Sequence, residues 1–224
     1  MEITSNIHKI DRIRGANSYL VLGDDGAAVI DTGLPRNGER IAEYSKEVGV
    51  GPAGLRYVIL THSDPDHSGS VSKLKGLTGA KIAIHELDAP RLSGDKKRKE
   101  VRGTAGVLFG IVSPFMRVEP VKADILLKDG DRILGLRVVH TPGHTEGSVC
   151  LYKEDEAIFV GDALRTDSGG RVHLPSASMT ADMGRAKESA RKISELRCTM
   201  LLPGHGPPIT QDAFKALGEF AKGL

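Results

Sequence analysis

Residues 57–67 read Tyr57-Val58-Ile59-Leu60-Thr61-His62-Ser63-Asp64-Pro65-Asp66-His67, and the architecture is decided there. The run Tyr57 to Leu60 is short, uninterrupted and apolar, which predicts a buried strand. Four side chains with metal-binding atoms follow at once: His62, Asp64, Asp66 and His67. Two imidazoles and two carboxylates held that closely can bind divalent ions.

The same pattern recurs three times further along. Leu136-Arg137-Val138-Val139 leads to His140 and, through Thr141-Pro142-Gly143, to His144. Ile158-Phe159-Val160-Gly161 leads to Asp162, and Met200-Leu201-Leu202-Pro203-Gly204 leads to His205. Loops at strand ends are where layered α/β folds gather their ligand sites. The neighbouring glycines and prolines favour sharp turns that aim a side chain back over the sheet edge.

Between these points the chain reads as alternating strands and helices. Asn17 to Leu22 and Ala27 to Asp31 flank Gly23-Asp24-Asp25-Gly26, a hairpin signal. Arg36 to Val48 places Ile41, Tyr44 and Val48 at helical spacing. A helix is expected from about His67 to Lys75, then a strand from Lys81 to His85. Strands resume at Ile125 to Leu127, Leu136 to Val139, Ser148 to Tyr152 and Ala157 to Val160. Thr180 is the expected cap of a helix running to about Leu196. A last strand, Thr199 to Leu202, precedes a terminal helix over Asp212 to Phe220. Residues 91–118 do not fit the alternation. They pass from the basic stretch Asp95 to Arg102 into the apolar run Val107 to Met116. They read either as a solvated turn and core segment, or as an inserted lid or subunit contact.

With 224 residues the chain can bury a sizeable core, and no linker or charge discontinuity marks a boundary, so one domain over 1–224 is expected. Lys and Arg total 31 against 29 Asp and Glu, a net +2 that calls for no nucleic-acid partner. Cys150 and Cys198 are too few for a disulfide framework and read as buried thiols. No apolar run is long enough to span a bilayer, and Met1 to His8 has no signal-peptide pattern; the expectation is a cytoplasmic enzyme with no membrane partner.

Taken in order, these motifs resemble the metallo-β-lactamase fold superfamily. Its signature H-x-H-x-D-H is matched by His62-Ser63-Asp64-Pro65-Asp66-His67, with Asp64 in place of the second His. Its remaining motifs are matched by Thr141-Pro142-Gly143-His144-Thr145, Gly161-Asp162, Pro203-Gly204-His205-Gly206 and the turn Asp31-Thr32-Gly33. The resemblance covers roughly residues 5 to 210. It implies an αβ/βα sandwich of the α/β class, with two central mixed sheets flanked by helices. It also implies two divalent metal ions, zinc first, with iron or manganese as alternatives. Carried over by position, His62, Asp64 and His144 would hold one ion, Asp66, His67 and His205 the other, and Asp162 would bridge them.

The activity implied is hydrolysis of a small ester, thioester or lactone by a metal-bridging hydroxide, with Asp66 as the catalytic proton shuttle. Two alternatives belong to the same fold: a non-haem iron oxidoreductase of the flavodiiron or persulfide dioxygenase type, and a nucleic-acid-processing hydrolase. Flavodiiron proteins carry an acidic residue at the place of Asp64. Arg165 stands where lactonases of the superfamily carry a tyrosine; it reads as an anion clamp or a surface arginine. His173 lies in a Gly/Ser-rich stretch from Thr166 to Ser178 that suits a substrate loop. A small-molecule substrate is expected, and the Val107 to Met116 run leaves a homodimer open.

Overall fold

The computed structural model describes residues 1–97 and 118–224. The expected lid or subunit-contact reading of 91–118, with the Val107 to Met116 run, falls outside the described residues except at its two ends. The described residues form two compact units, 1–97 with 118–127, and 128–224.

In the first unit, seven strands form one sheet in chain order. They are β1 (Glu2–Thr4), β2 (Ile7–Lys9), β3 (Tyr19–Gly23), β4 (Gly26–Ile30), β5 (Leu55–Ile59), β6 (Lys81–His85) and β7 (Ile125–Leu127). Neighbours from β1 to β4 pair antiparallel, and those from β4 to β7 parallel. The change of sense follows from the connections. Gly23 pairs directly with Gly26, so Asp24 and Asp25 alone turn the hairpin. A parallel pair needs a crossover instead. Helix α1 (Gly38–Glu47) supplies it between β4 and β5; α2 (Pro65–Ser68) and α3 (Val71–Thr78) supply it between β5 and β6. A short α4 (Ala89–Leu92) follows β6. Ile41 and Tyr44 of α1 and Val71 and Leu74 of α3 bury against Val29, Val58 and Ile82 of the sheet and against Leu60 just beyond β5. Truncating a fully buried residue such as Ile41 or Leu74 to Ala costs about 2–5 kcal/mol.

The second unit carries a five-stranded sheet in the order β14-β11-β10-β9-β8. Its strands are β8 (Arg132–Ile133), β9 (Leu136–His140), β10 (Val149–Lys153), β11 (Ala157–Gly161) and β14 (Met200–Pro203). The β8 to β11 neighbours are antiparallel. The β11–β14 pair is parallel, joined through α5 (Met183–Ser194). A two-stranded ribbon, β12 (Arg165–Thr166) and β13 (Val172–His173), lies between β11 and α5 in the chain. Helix α5 packs on α6 (Ala213–Ala221), and Ala190, Ile193 and Leu217 bury against Val139, Ile158, Val160 and Leu201. Cys150 and Cys198 are buried free thiols, as their apolar settings suggest. No helix among the described residues is long and apolar enough to cross a membrane.

Two helix boundaries differ from expectation. The helix predicted from His67 to Lys75 is broken into α2 and α3 at Gly69-Ser70. A Cβ on Gly69 would lie 2.5 Å from Leu34 and Pro35, so the chain passes too closely there for another residue. Ser70 is tied crosswise, its hydroxyl accepting the Asn37 N–H at 2.8 Å and its N–H donating to Thr32 Oγ1 at 3.2 Å. Helix α5 is capped by Asp182 rather than Thr180, the Asp182 side chain accepting the Arg185 N–H at 3.1 Å. Thr180 has extended backbone and its hydroxyl donates to the Ser176 carbonyl at 2.8 Å.

Candidate metal centre

In the first unit the chain leaves β5 at the carboxyl end of the parallel strands and enters the 61–68 loop. Asp64 is extended and caps α2, with Pro65 at the first helical position, where its missing N–H costs nothing. The Asp64 carbonyl accepts the N–H groups of His67 at 3.0 Å and Ser68 at 2.9 Å. The Ser68 hydroxyl, within reach of the carbonyls of Ser63 (3.1 Å) and Asp64 (3.0 Å), closes the loop. The Ser63 N–H donates to Asp88 Oδ2 at 2.8 Å.

Asp31 organises the imidazoles from beneath. It sits at the end of β4 with φ +57, a conformation Asp tolerates better than most residues. Its Oδ1 accepts the Thr61 N–H, and its Oδ2 accepts the Thr61 hydroxyl and His67 Nδ1, all at 2.8 Å. A carboxylate only accepts, so His67 carries its proton on Nδ1 and Nε2 is the nitrogen that would meet an ion. His62 is fixed by Thr61 Oγ1, 3.0 Å from its Nδ1. The His62 and His67 rings lie with centroids 4.0 Å apart, and both are buried.

In the second unit the turn after β9 is fastened to the start of α5. The Asp182 N–H donates to the Gly143 carbonyl at 2.9 Å, and the Ser189 hydroxyl to that of Pro142 at 2.7 Å. Gly143 has φ +137, and a Cβ there would lie 2.3 Å from the Ala186 nitrogen. The turn therefore holds His144 rigidly, with Thr180 Oγ1 3.5 Å from its Nδ1. Asp162 follows β11 and His205 follows β14; the Gly204 N–H donates to the Gly161 carbonyl at 2.8 Å. The ribbon is locked to the His205 loop, since Thr166 donates its N–H to the His205 carbonyl at 3.1 Å and its hydroxyl to that of Pro207 at 2.6 Å.

Three separations define the chemistry. Asp162 Oδ2 is 3.5 Å from His144 Nε2, and Asp162 Oδ1 is 3.5 Å from His205 Nε2. In the other unit Asp64 Oδ2 is 3.6 Å from His62 Nε2. These are longer than the roughly 2.7–2.9 Å of a charge-assisted hydrogen bond. They match the spacing of about 3.3–3.6 Å between two ligands that each reach a shared tetrahedral ion at about 2.0–2.2 Å. The donor set of imidazole nitrogens and carboxylate oxygens fits zinc and also harder ions. Each of His62, Asp64, Asp66, His67, His144, Asp162 and His205 belongs to a group of His and Asp side chains able to hold a metal ion.

The other singled-out residues sit elsewhere. His140 Nε2 is 2.9 Å from the Glu146 carbonyl, a packing role. His85 is buried, and its Nδ1 accepts the Leu87 N–H at 3.3 Å, a local cap. Arg165 and His173 are exposed and directly opposite each other on the β12–β13 ribbon. His173 is 3.1 Å from Asp167, whose carboxyl is held below the ordinary carboxylate range by the Arg171 N–H and by His173. Sequence reasoning missed the supporting roles of Asp31, Asp88 and Thr180. Asp31 alone carried a signal, a carboxylate at a strand end before Thr-Gly.

The family profile described as the metallo-beta-lactamase superfamily matches residues 11–205. A Bacillus subtilis (strain 168) relative named probable metallo-hydrolase YqgX is 29% identical over 197 residues, covering 86% of this chain and 85% of its own. The human protein named acyl-coenzyme A thioesterase MBLAC2 is 29% identical over 209 residues, covering 85% of this chain and 72% of its own. The solved structure of TTHA1623 in a di-iron-bound form superposes with a TM-score of 0.69 at 25% identity, covering 90% of this chain and 92% of its own. The mixed seven- and five-stranded sheets with flanking helices are those of this α/β fold, as the sequence led us to expect.

Proposed function

The chain belongs to the metallo-beta-lactamase superfamily, and from that membership we propose that it is a binuclear metallohydrolase acting on a small thioester, ester or lactone. His62, Asp64 and His144 would hold one ion and Asp66, His67 and His205 the second, with Asp162 available to both. The observation that carries this reading is Asp162, whose two oxygens each face a different imidazole nitrogen at ligand–ligand spacing. Hydrolysis in general is supported by the relatives named metallo-hydrolase and acyl-coenzyme A thioesterase.

When bound, divalent ions supply a water ionised near neutral pH and a Lewis acid for the carbonyl oxygen. The chain's own residues do the rest. Asp66 is half-buried, and its carbonyl is anchored by the Ala16 N–H at 3.0 Å. Its carboxylate would orient the attacking water and take its proton. Asp31 and Thr61 keep His67 and His62 in their ligating tautomers, so the imidazoles need no reorganisation.

The test is protein purified without added metal, assayed for metal content and against thioesters, esters and lactones before and after chelation. Hydrolysis that is lost on chelation and restored by zinc, iron or manganese supports the reading; turnover indifferent to chelation sinks it. A non-haem iron oxidoreductase is the second reading, favoured by the acidic Asp64 and the di-iron form of one relative. Stoichiometric iron with oxygen consumption and no hydrolysis would establish it instead.

A further inference from the structure

Asn37 stands where helix α1 begins and does not cap it. An Asn at that position ordinarily turns its side chain onto the first amide groups of the helix; this one makes no such bond. The side chain is buried, 2% exposed, and is committed instead to two loops. Its Nδ2 donates to the Arg14 carbonyl at 2.9 Å and to the Thr32 carbonyl at 3.2 Å, and its Oδ1 accepts the Arg14 N–H at 3.3 Å. Both amide hydrogens and the amide oxygen are thereby in use. The fit is close: a Cβ on Gly33 would lie 2.4 Å from Nδ2 and 2.5 Å from the Arg14 carbonyl oxygen.

Each of these loops also bonds the backbone of a candidate ligand. From the 11–17 loop, the Ala16 N–H donates to the Asp66 carbonyl at 3.0 Å. From the turn after β4, Thr32 gives its N–H at 2.6 Å and its hydroxyl at 2.9 Å to the His67 carbonyl. Holding two successive carbonyls fixes the peptide planes on both sides of His67, the first of which also sets Asp66. The Asn37 N–H adds a further tie, to Ser70 Oγ at 2.8 Å, just beyond α2. His62 and Asp64 are held from another side, by Thr61 and by the bonds of Asp88 and Ser68 to the 63–64 backbone.

We propose that Asn37 is a positioning residue for one of the two ions: its amide locks the 11–17 loop to the Thr32-Gly33 turn, and the two together present Asp66 and His67 to the second ion. This deepens the binuclear reading above and rests on it. A side chain that forgoes its helix cap to join backbone groups 23 and 5 positions away serves the loops and not the helix. Removing it therefore leaves the start of α1 without a lost bond and frees the two loops from each other. Outer partners of this kind set metal affinity by holding ligands in place before the ion arrives.

The test follows zinc and amide protons separately. Wild type, Asn37→Ala and Ile41→Val, a core truncation on the same helix, are titrated with zinc against a competing chelator. Imidazole NMR signals of His62 and His144 report the first ion, and those of His67 and His205 the second. In Asn37→Ala the His67 and His205 midpoint should move to about tenfold higher free zinc, while that of His62 and His144 stays in place. In the metal-free protein the Ala16 and Thr32 amides should exchange faster, with those of Thr61 and Ser63 unchanged. Ile41→Val should show neither pattern. Asn37→Asp keeps an oxygen facing the Arg14 N–H and loses both donors; it should repeat the result, and it takes the place of the alanine variant if that does not fold. Equal weakening of both histidine pairs, no weakening, or the same pattern in Ile41→Val overturns the inference. If the wild type takes up one ion or none, the binuclear reading falls and exchange decides alone. Faster exchange at Ala16 and Thr32 then keeps Asn37 as the positioning residue of Asp66 and His67, and unchanged exchange overturns it.

Discussion

Replacing Asp31 by Asn separates the positioning of His67 from the integrity of the fold. The substitution keeps shape and volume, and Asn tolerates the +57 φ of this position as well as Asp does. What changes is the inventory of acceptors. Oδ2 now accepts from both Thr61 Oγ1 and His67 Nδ1, and Oδ1 from the Thr61 N–H. An amide nitrogen at Oδ2 would oppose the His67 Nδ1 proton; at Oδ1 it would oppose the Thr61 N–H. Placement at Oδ1 loses one charge-assisted bond, worth about 1.5–3 kcal/mol, and placement at Oδ2 loses two, at a side chain buried from solvent. If the His67 proton moves to Nε2, the ligating lone pair disappears. A loss of about 10–100-fold in metal affinity is expected, with a fall in stability no larger than the lost bonds. A competition titration against a chromophoric chelator reads the affinity, and thermal unfolding of the metal-free protein reads the stability. Unchanged affinity for both ions in Asp31→Asn would refute the argument. An Asp31→Ala variant should do worse in unfolding, because it leaves three donors without their acceptor.

Gly206 has φ +97, and a Cβ there would lie 2.0 Å from the Thr166 carbonyl oxygen, so Gly206→Ala must displace the His205 loop from the ribbon. Activity should fall about 100-fold, with one equivalent less metal by elemental analysis; full loading and activity would show that His205 is not held this way. Asp64→His removes one carboxylate charge, which should raise zinc retention relative to iron and manganese and lower the pH midpoint of kcat; an unchanged metal preference counts against direct ligation by Asp64. Burial pushes the Cys150 thiol up to about 12 and the Cys198 thiol to about 11. Their folded values lie above the unfolded one, so this contribution is complete below about pH 9 and is lost as pH rises towards 12. The melting temperature should decline through that window and thiol reagents should label the native protein slowly at pH 8; rapid stoichiometric labelling would contradict the burial.

Strands with three or more buried residues were legible, because β5, β9, β11 and β14 are buried through most of their length. The candidate ligand residues stand out in the sequence for the same reason, each following such a run. Strands β1, β2, β8, β12 and β13 hold two or three residues each, too few to display a period. The break between α2 and α3 depends on the approach of Leu34 and Pro35 to Gly69, a contact between residues 34 positions apart or more. The choice of Asp182 over Thr180 depends on the Gly143 turn, which claims the Ala181 and Asp182 N–H groups from a distance in sequence. Asp31 was visible as a turn residue, but its partners Thr61 and His67 lie 30 and 36 positions away.

The carbonyl of residue 64 receives the bonds that start α2, and a carbonyl is common to every amino acid. The side chain at that position can therefore be exchanged without dismantling the turn that presents its neighbours. A lineage with this loop can try nitrogen or oxygen there by a single codon change while the surrounding architecture stays in place. With Asp64 as the proposed ligand, metal identity becomes an inherited variable selected separately from the fold, and two descendants of one scaffold can diverge in reaction before they diverge in shape.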